Sequence, residues 1–173
     1  MHATEVLPNI LYHGSRFKQN ELQPGYNHSR QLVKWDQTEN NTFLYATSVR
    51  DTAIELGFAS SLEKLFDVTY FKVEGKEILI ECASELKLKD LAIVPVYLYK
   101  IECKDADGWK KNDNEHNGIT TEYKTHNCIR AILLCERVDI TQWLKGYRVI
   151  VRRGAGEAGA ALESLEPVKR FSW

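Results

Sequence analysis

The chain has 173 residues, 43% of them apolar and 27% charged, which suits one globular domain whose core needs no disulfide or metal staple. Its formal net charge of -1 sets up no overall basic field of the kind that draws a chain to nucleic acid or an anionic membrane. No apolar run approaches the roughly 18 residues of a membrane span, and the start MHATEVLPNILYHGS has neither the basic nor the long apolar region of a signal peptide. A monomeric cytoplasmic protein without membrane attachment is expected.

Residues 9–13 read as a short strand running into Tyr12-His13-Gly14-Ser15, and a polar stretch over 18–41 follows with room for one short helix. The apolar, aromatic run at 42–46 is a second strand. It leads straight into helix signals over 47–66, where Ser48 and Asp51 have capping-box spacing and Gly57 is a candidate break. Residues 67–82 read as two strands around Glu74-Gly75-Lys76, and 93–103, rich in β-branched and aromatic residues, as another. A polar loop spans 104–118, with Trp109 as a candidate contact residue, and is of a length that often carries function. Residues 119–126 and 128–140 supply further strands, and 143–153 a last strand or a short helix. One domain over 1–152 is expected, with the small-residue-rich 153–173 as a tail, either a linker with a terminal helix or partly foreign sequence.

The cysteines, Cys82, Cys103, Cys128 and Cys135, show no C-x-x-C spacing, and three of them sit in or beside apolar runs where a thiol acts as a small hydrophobe. Reduced thiols in a cytoplasmic setting fit this usage. His13, His28, His116 and His126 lack the pairing and the cysteine partners of a zinc site, so no metal is expected. Nor is there a G-x-S-x-G elbow for a serine hydrolase.

Two strand-end motifs remain: Tyr12-His13-Gly14-Ser15, and Tyr45-Ala46-Thr47 leading into a helix that holds Ala53. Each alone has a plain reading, a strand followed by a turn and a core aromatic. Together, and in this order, they resemble the ADP-ribosyltransferases, specifically the diphtheria-toxin and poly(ADP-ribose)-polymerase branch. The resemblance rests mainly on residues 11–59. It implies an α+β fold, a split β-sandwich of two small antiparallel sheets with flanking helices. It also implies NAD as co-substrate: the glycosidic bond to nicotinamide is cleaved and ADP-ribose passes to a protein or nucleic-acid acceptor.

By the same resemblance His13 bonds a ribose hydroxyl, a role that neutral imidazole suits because it donates at one nitrogen and accepts at the other. Gly14 offers its backbone to the carboxamide, with no side chain in the way. Tyr45 stacks on the nicotinamide, where a cationic ring adds a cation–π term. Ser15 and Thr47 are auxiliary cofactor contacts. The family's glutamate, which faces the positive charge that develops as nicotinamide leaves, matches Glu122 best; Glu115 and Glu102 are weaker matches. The branch has a second tyrosine after the first. Counting forward puts Leu56 there, with Phe58 nearby as the alternative wall of the nicotinamide slot.

Other readings stay open on the sequence. One is a non-catalytic NAD, ADP-ribose or protein-binding module, and another is simple NAD hydrolysis. A third is an NAD-dependent RNA 2′-phosphotransferase, which needs basic residues around the cleft; Arg16, Lys18, Arg50 and Lys124 are candidates, although the net charge speaks against it.

Overall fold

A computed structural model describes residues 6–24, 43–112, 122–153 and 167–171. The architecture is α+β: two sheets with few helices, the larger ordered β6-β7-β2-β1-β5-β8 and the smaller β10-β9-β4-β3. In chain order the larger sheet takes β1 (Ile10–Ser15), β2 (Leu44–Thr47), β5 (Tyr97–Glu102), β6 (Lys110–Lys111), β7 (Glu122–Thr125) and β8 (Ile132–Arg137). The smaller takes β3 (Val68–Glu74), β4 (Glu77–Cys82), β9 (Arg148–Arg153) and β10 (Pro167–Phe171). The helices are α1 (Arg50–Leu65), α2 (Leu88–Ala92) and α3 (Ile140–Leu144). Among the described residues no helix is long and apolar enough to cross a membrane.

Helix α1 sets the distance between layers. It buries Ala53, Ile54, Gly57, Phe58, Ala59, Ser61 and Leu62, with the small residues where it crosses β1 and the large ones reaching into the core. There Phe58 and Leu62 meet Ile78 and Ile80 of β4, Val149 and Val151 of β9, and Leu98 of β5. The opposite face of the larger sheet carries a second core of Leu11, Leu22, Leu44, Ala46, Tyr99, Ile101, Trp109 and Ile129. Leu98 and Tyr99 therefore point into different cores, as the two-residue period of a strand requires when both faces are covered.

Several sequence expectations change. Helix α1 starts without a capping box: its N-cap is Val49, which makes no side-chain cap bond, and the hydroxyl of Thr47 instead accepts the Val49 N–H at 3.1 Å. Gly57 does not break the helix, because it is where the helix touches β1. The run 93–103 is a strand only from Tyr97 onward. The apolar end of 128–140 turns into α3, whose N-cap Asp139 accepts the Gln142 N–H at 3.1 Å. The strands at 67–82 do form a hairpin, closed by Gly75 at φ +60°, a value a Cβ disfavours. The smaller sheet is mixed rather than antiparallel, since β4 and β9 run parallel. The expected tail is not wholly separate either: Pro167–Phe171 pairs antiparallel with β9. The short helix allowed within 18–41 and the tail segment 154–166 lie outside the described residues, apart from 18–24, which form no helix.

Candidate active site

Order in the larger sheet decides what meets at the site. Strand β2 lies between β1 and β7, so His13, Tyr45 and Glu122, far apart in sequence, come from three neighbouring strands. Register then decides their faces. Thr47 pairs with Glu122 and Tyr45 with Lys124, while Tyr12 pairs with Thr47. Directly opposed residues share a face, so Tyr45, Thr47, Glu122 and Lys124 project to the side on which α1 crosses Gly14. His13, one residue out of phase, projects toward the second core, where Tyr99 is its cross-strand partner and the two ring centroids stand 6.1 Å apart.

The imidazole nevertheless returns to the plane of the sheet. The ladder between β1 and β2 is registered at Tyr12 and Thr47, and beyond that pair His13 Nδ1 meets the Tyr45 carbonyl oxygen at 2.7 Å. A carbonyl can only accept, so Nδ1 carries the proton and, in the neutral ring, Nε2 carries the lone pair. His13 is 9% exposed. Its side chain links the two strands where the backbone ladder stops.

Glu122 opens β7 and is buried at 6% exposure. Asn112, buried beside it, donates from Nδ2 to Glu122 Oε1 at 2.5 Å, and the Asn112 N–H donates to the Glu122 carbonyl at 2.8 Å. A charged acceptor held by an amide has a set direction as well as a lower cost of burial. Nothing in the sequence marked Asn112. It ends a Lys-Lys-Asn run in a polar loop, and only the pairing of β6 with β7 brings it to the acid.

Gly14 has a reason of its own to be glycine. A Cβ built there would stand 1.9 Å from the Ala53 carbonyl oxygen and 3.0 Å from the Gly57 nitrogen. The close approach that the sequence reading reserved for a ligand is made by α1. Ser15 is buried and its Oγ accepts the Phe17 N–H at 3.1 Å. Thr125 Oγ1 accepts from Asn127 at 3.2 Å. With Thr47, three strand ends of this sheet thus turn on hydroxyl-to-backbone bonds.

Tyr99, which no motif singled out, ties down the segment after β1. Its hydroxyl accepts the Gln19 N–H at 2.5 Å and donates to the Phe17 carbonyl at 2.7 Å. Burial pushes this phenol well above the ordinary tyrosine range, and the neighbouring Cys135 thiol adds to the shift.

Other candidates fall away from this place. Phe58 is fully buried, packed edge-on against Phe71 and Trp143 at 5.8 and 5.7 Å, so it belongs to the core and walls no slot beside Tyr45. Helical phase turns it away; Leu56, two positions earlier, is the residue left 39% exposed. Trp109 is buried in the second core and is not a surface contact. Glu102 pairs with Ile10, at the far end of β1 from His13, and Glu115 lies outside the described residues. Arg50 bonds Glu136 of β8 at 2.9 Å, and Arg16 lies over the Phe17 ring at 4.3 Å. Of the four basic candidates, Lys124 stands beside Tyr45 in register.

No family model, curated protein or solved structure matches the chain.

Proposed function

We propose that the chain is an ADP-ribosyltransferase: it cleaves the bond between nicotinamide and ribose in NAD and passes ADP-ribose to a macromolecular acceptor. On this reading the two sheets are the halves of a split β-sandwich of that family's type. The observation that supports it most is the junction of β1 and β2, where the His13 imidazole replaces the ladder at the Tyr45 carbonyl and a buried glutamate stands on the next strand.

In this reading nicotinamide lies against Tyr45 on the face that Glu122 shares, and Gly14, whose close approach on that face is taken by α1, serves to seat the helix on β1. His13 Nε2, acceptor in the tautomer set by Tyr45, takes a ribose hydroxyl at the strand junction. As the glycosidic bond breaks, its electron pair leaves with nicotinamide, and the Glu122 carboxylate faces the positive charge that builds on the ribose. An acceptor lone pair then forms the new bond to the ribose carbon, and any proton it carried goes to water. Ser15 and Thr47, engaged in turns, support the strand ends that carry the contacts.

A second reading, NAD binding without turnover, draws on Leu56: the position where the resemblance expects a second aromatic ring holds an aliphatic side chain. One experiment separates the two. Release of free nicotinamide from NAD is measured for the wild type and for Glu122→Gln, with NAD binding followed by calorimetry. Transfer or hydrolysis predicts release that falls at least about a hundredfold in the variant while binding persists. Binding without release in the wild type would establish the second reading, and absence of both would sink the NAD site.

A further inference from the structure

The face that carries Tyr45 and Glu122 continues into a basic and aromatic surface. Beside the rung of Asn112, Glu122 and Thr47 runs a second of Lys110, Lys124 and Tyr45, since Lys110 pairs with Lys124 and Lys124 with Tyr45. Next to it, His126 stacks on Phe43 with centroids 4.0 Å apart and a 33° tilt. Rungs on one face of a sheet are about 6.8 Å apart. Lys124 Nζ lies 4.4 Å from the centroid of the Phe43 ring, and Lys110 and His126 are exposed.

From this we infer that the acceptor is single-stranded nucleic acid, held at its phosphates by Lys110 and Lys124 and at a base by the His126–Phe43 pair. The inference rests on the proposed ADP-ribosyl transfer. Lys110 and Lys124 stand opposite each other on paired strands and present two cations to a phosphate backbone. Lysines beside flat aromatic surfaces are the combination by which single strands are bound without regard to sequence. An acidic peptide would engage the lysines and leave the ring pair unused. The diphosphate of NAD is placed elsewhere by the proposed pose: nicotinamide lies against Tyr45 and the ribose hydroxyl goes to His13, toward β1, whereas Lys110 lies on β6 at the opposite edge. In the transfer, a nucleobase nitrogen donates its pair to the ribose carbon, the nicotinamide–ribose bond breaks with its pair leaving on nicotinamide, and the proton of the base nitrogen passes to water.

The test uses the full chain and fluorescein-labelled twelve-nucleotide DNA and RNA strands of mixed sequence, without NAD, read by anisotropy between 50 and 200 mM salt. Binding that weakens with salt is expected. Lys110→Ala with Lys124→Ala should weaken it about tenfold and reduce the salt slope by about 1.4, since each phosphate neutralised on a single strand contributes about 0.7. His126→Ala should weaken it about tenfold with the slope unchanged, because stacking releases no counterions. Incubation with NAD should then give strands carrying ADP-ribose by mass spectrometry. Strands that fail to bind, or a lysine pair whose loss weakens NAD binding as much as strand binding, would overturn the inference; so would modification of added protein with the strands left intact. Calorimetry of NAD on the wild type keeps the two claims apart. NAD bound with no strand bound defeats only the acceptor, and strands bound by a chain that shows no NAD binding defeat the transferase.

Discussion

Gly14 of β1 and Ala53 of α1 meet backbone against backbone, so closely that a methyl group on Gly14 would stand 1.9 Å from the Ala53 carbonyl oxygen. Neither partner is a flexible side chain that can swing aside. Gly14→Ala is therefore expected to lower stability by about 3 kcal/mol or more, at the upper end for overpacking. At Gly57 a Cβ would lie 3.0 Å from Gly14 C and from Val96 Cγ1, a milder conflict partly offset by helix propensity, so Gly57→Ala should cost about 1 kcal/mol. Urea denaturation of both variants checks the order. Loss of NAD binding in a Gly14 variant counts toward a ligand contact only where the variant is still folded.

Tyr99→Phe removes the hydroxyl that holds two backbone groups of the segment after β1. The Gln19 N–H and the Phe17 carbonyl both lose their partner, and a loss of about 1–3 kcal/mol is expected. Hydrogen exchange locates the effect: the Gln19 amide should exchange faster in the variant by more than the global loss explains. Unchanged protection there would mean that the bond does not organise this segment.

Asn112 acts on the proposed reaction through Glu122, as a positioning residue. Asn112→Ala should lower kcat for nicotinamide release about tenfold, the worth of one hydrogen bond to a charged group, and leave KM for NAD within about twofold. Asn112→Asp should lower it further, because a second carboxylate facing the first repels it. A variant that moves KM and kcat together would indicate a general loosening of β6 and β7.

Tyr147 supplies a pH dependence whose sign follows from its surroundings. Burial first, and then the charge of Glu55, push the phenol up to about 12, and its hydroxyl donates to Glu55 Oε1 at 3.4 Å. Burial likewise raises the Glu55 carboxyl. A group whose pKa is raised by folding stabilises the native state below its unfolded pKa, and that contribution disappears as pH climbs through the folded value. The stability of the wild type relative to Tyr147→Phe should thus be constant from about pH 8, above the titration of Glu55, to pH 10 and decline between about 10 and 12. Chemical denaturation across that range tests it, and a flat difference would refute the assignment.

How far the sequence carried can be judged residue by residue. Tyr12-His13-Gly14-Ser15, Tyr45-Ala46-Thr47 and Glu122 all fall on strands, and a helix does follow Thr47, because strand alternation, turn chemistry and helical period are local properties of the chain. Gly75 marked its hairpin for the same reason. Helix α3 straddles the end of 128–140, expected as strand, and the start of 143–153, where a strand or a short helix was expected, since the five residues Ile140–Leu144 are too few for a period to emerge. The parallel pairing of β4 with β9, the pairing of β10, and the place of Asn112 beside Glu122 were unreadable, because pairing between distant segments leaves no mark within either one.

The sequence by itself determined which segments carry β1, β2 and β7 and which polar and aromatic side chains stand on them. Tertiary structure alone decided that β2 lies between β1 and β7, that Tyr45 and Glu122 share a face, and that His13 crosses to them only through its bond to the Tyr45 carbonyl. It also turned Phe58 into the core, because the contact between Gly14 and Ala53 sets the rotation of α1 about its axis, and with it the direction of every side chain the helix carries.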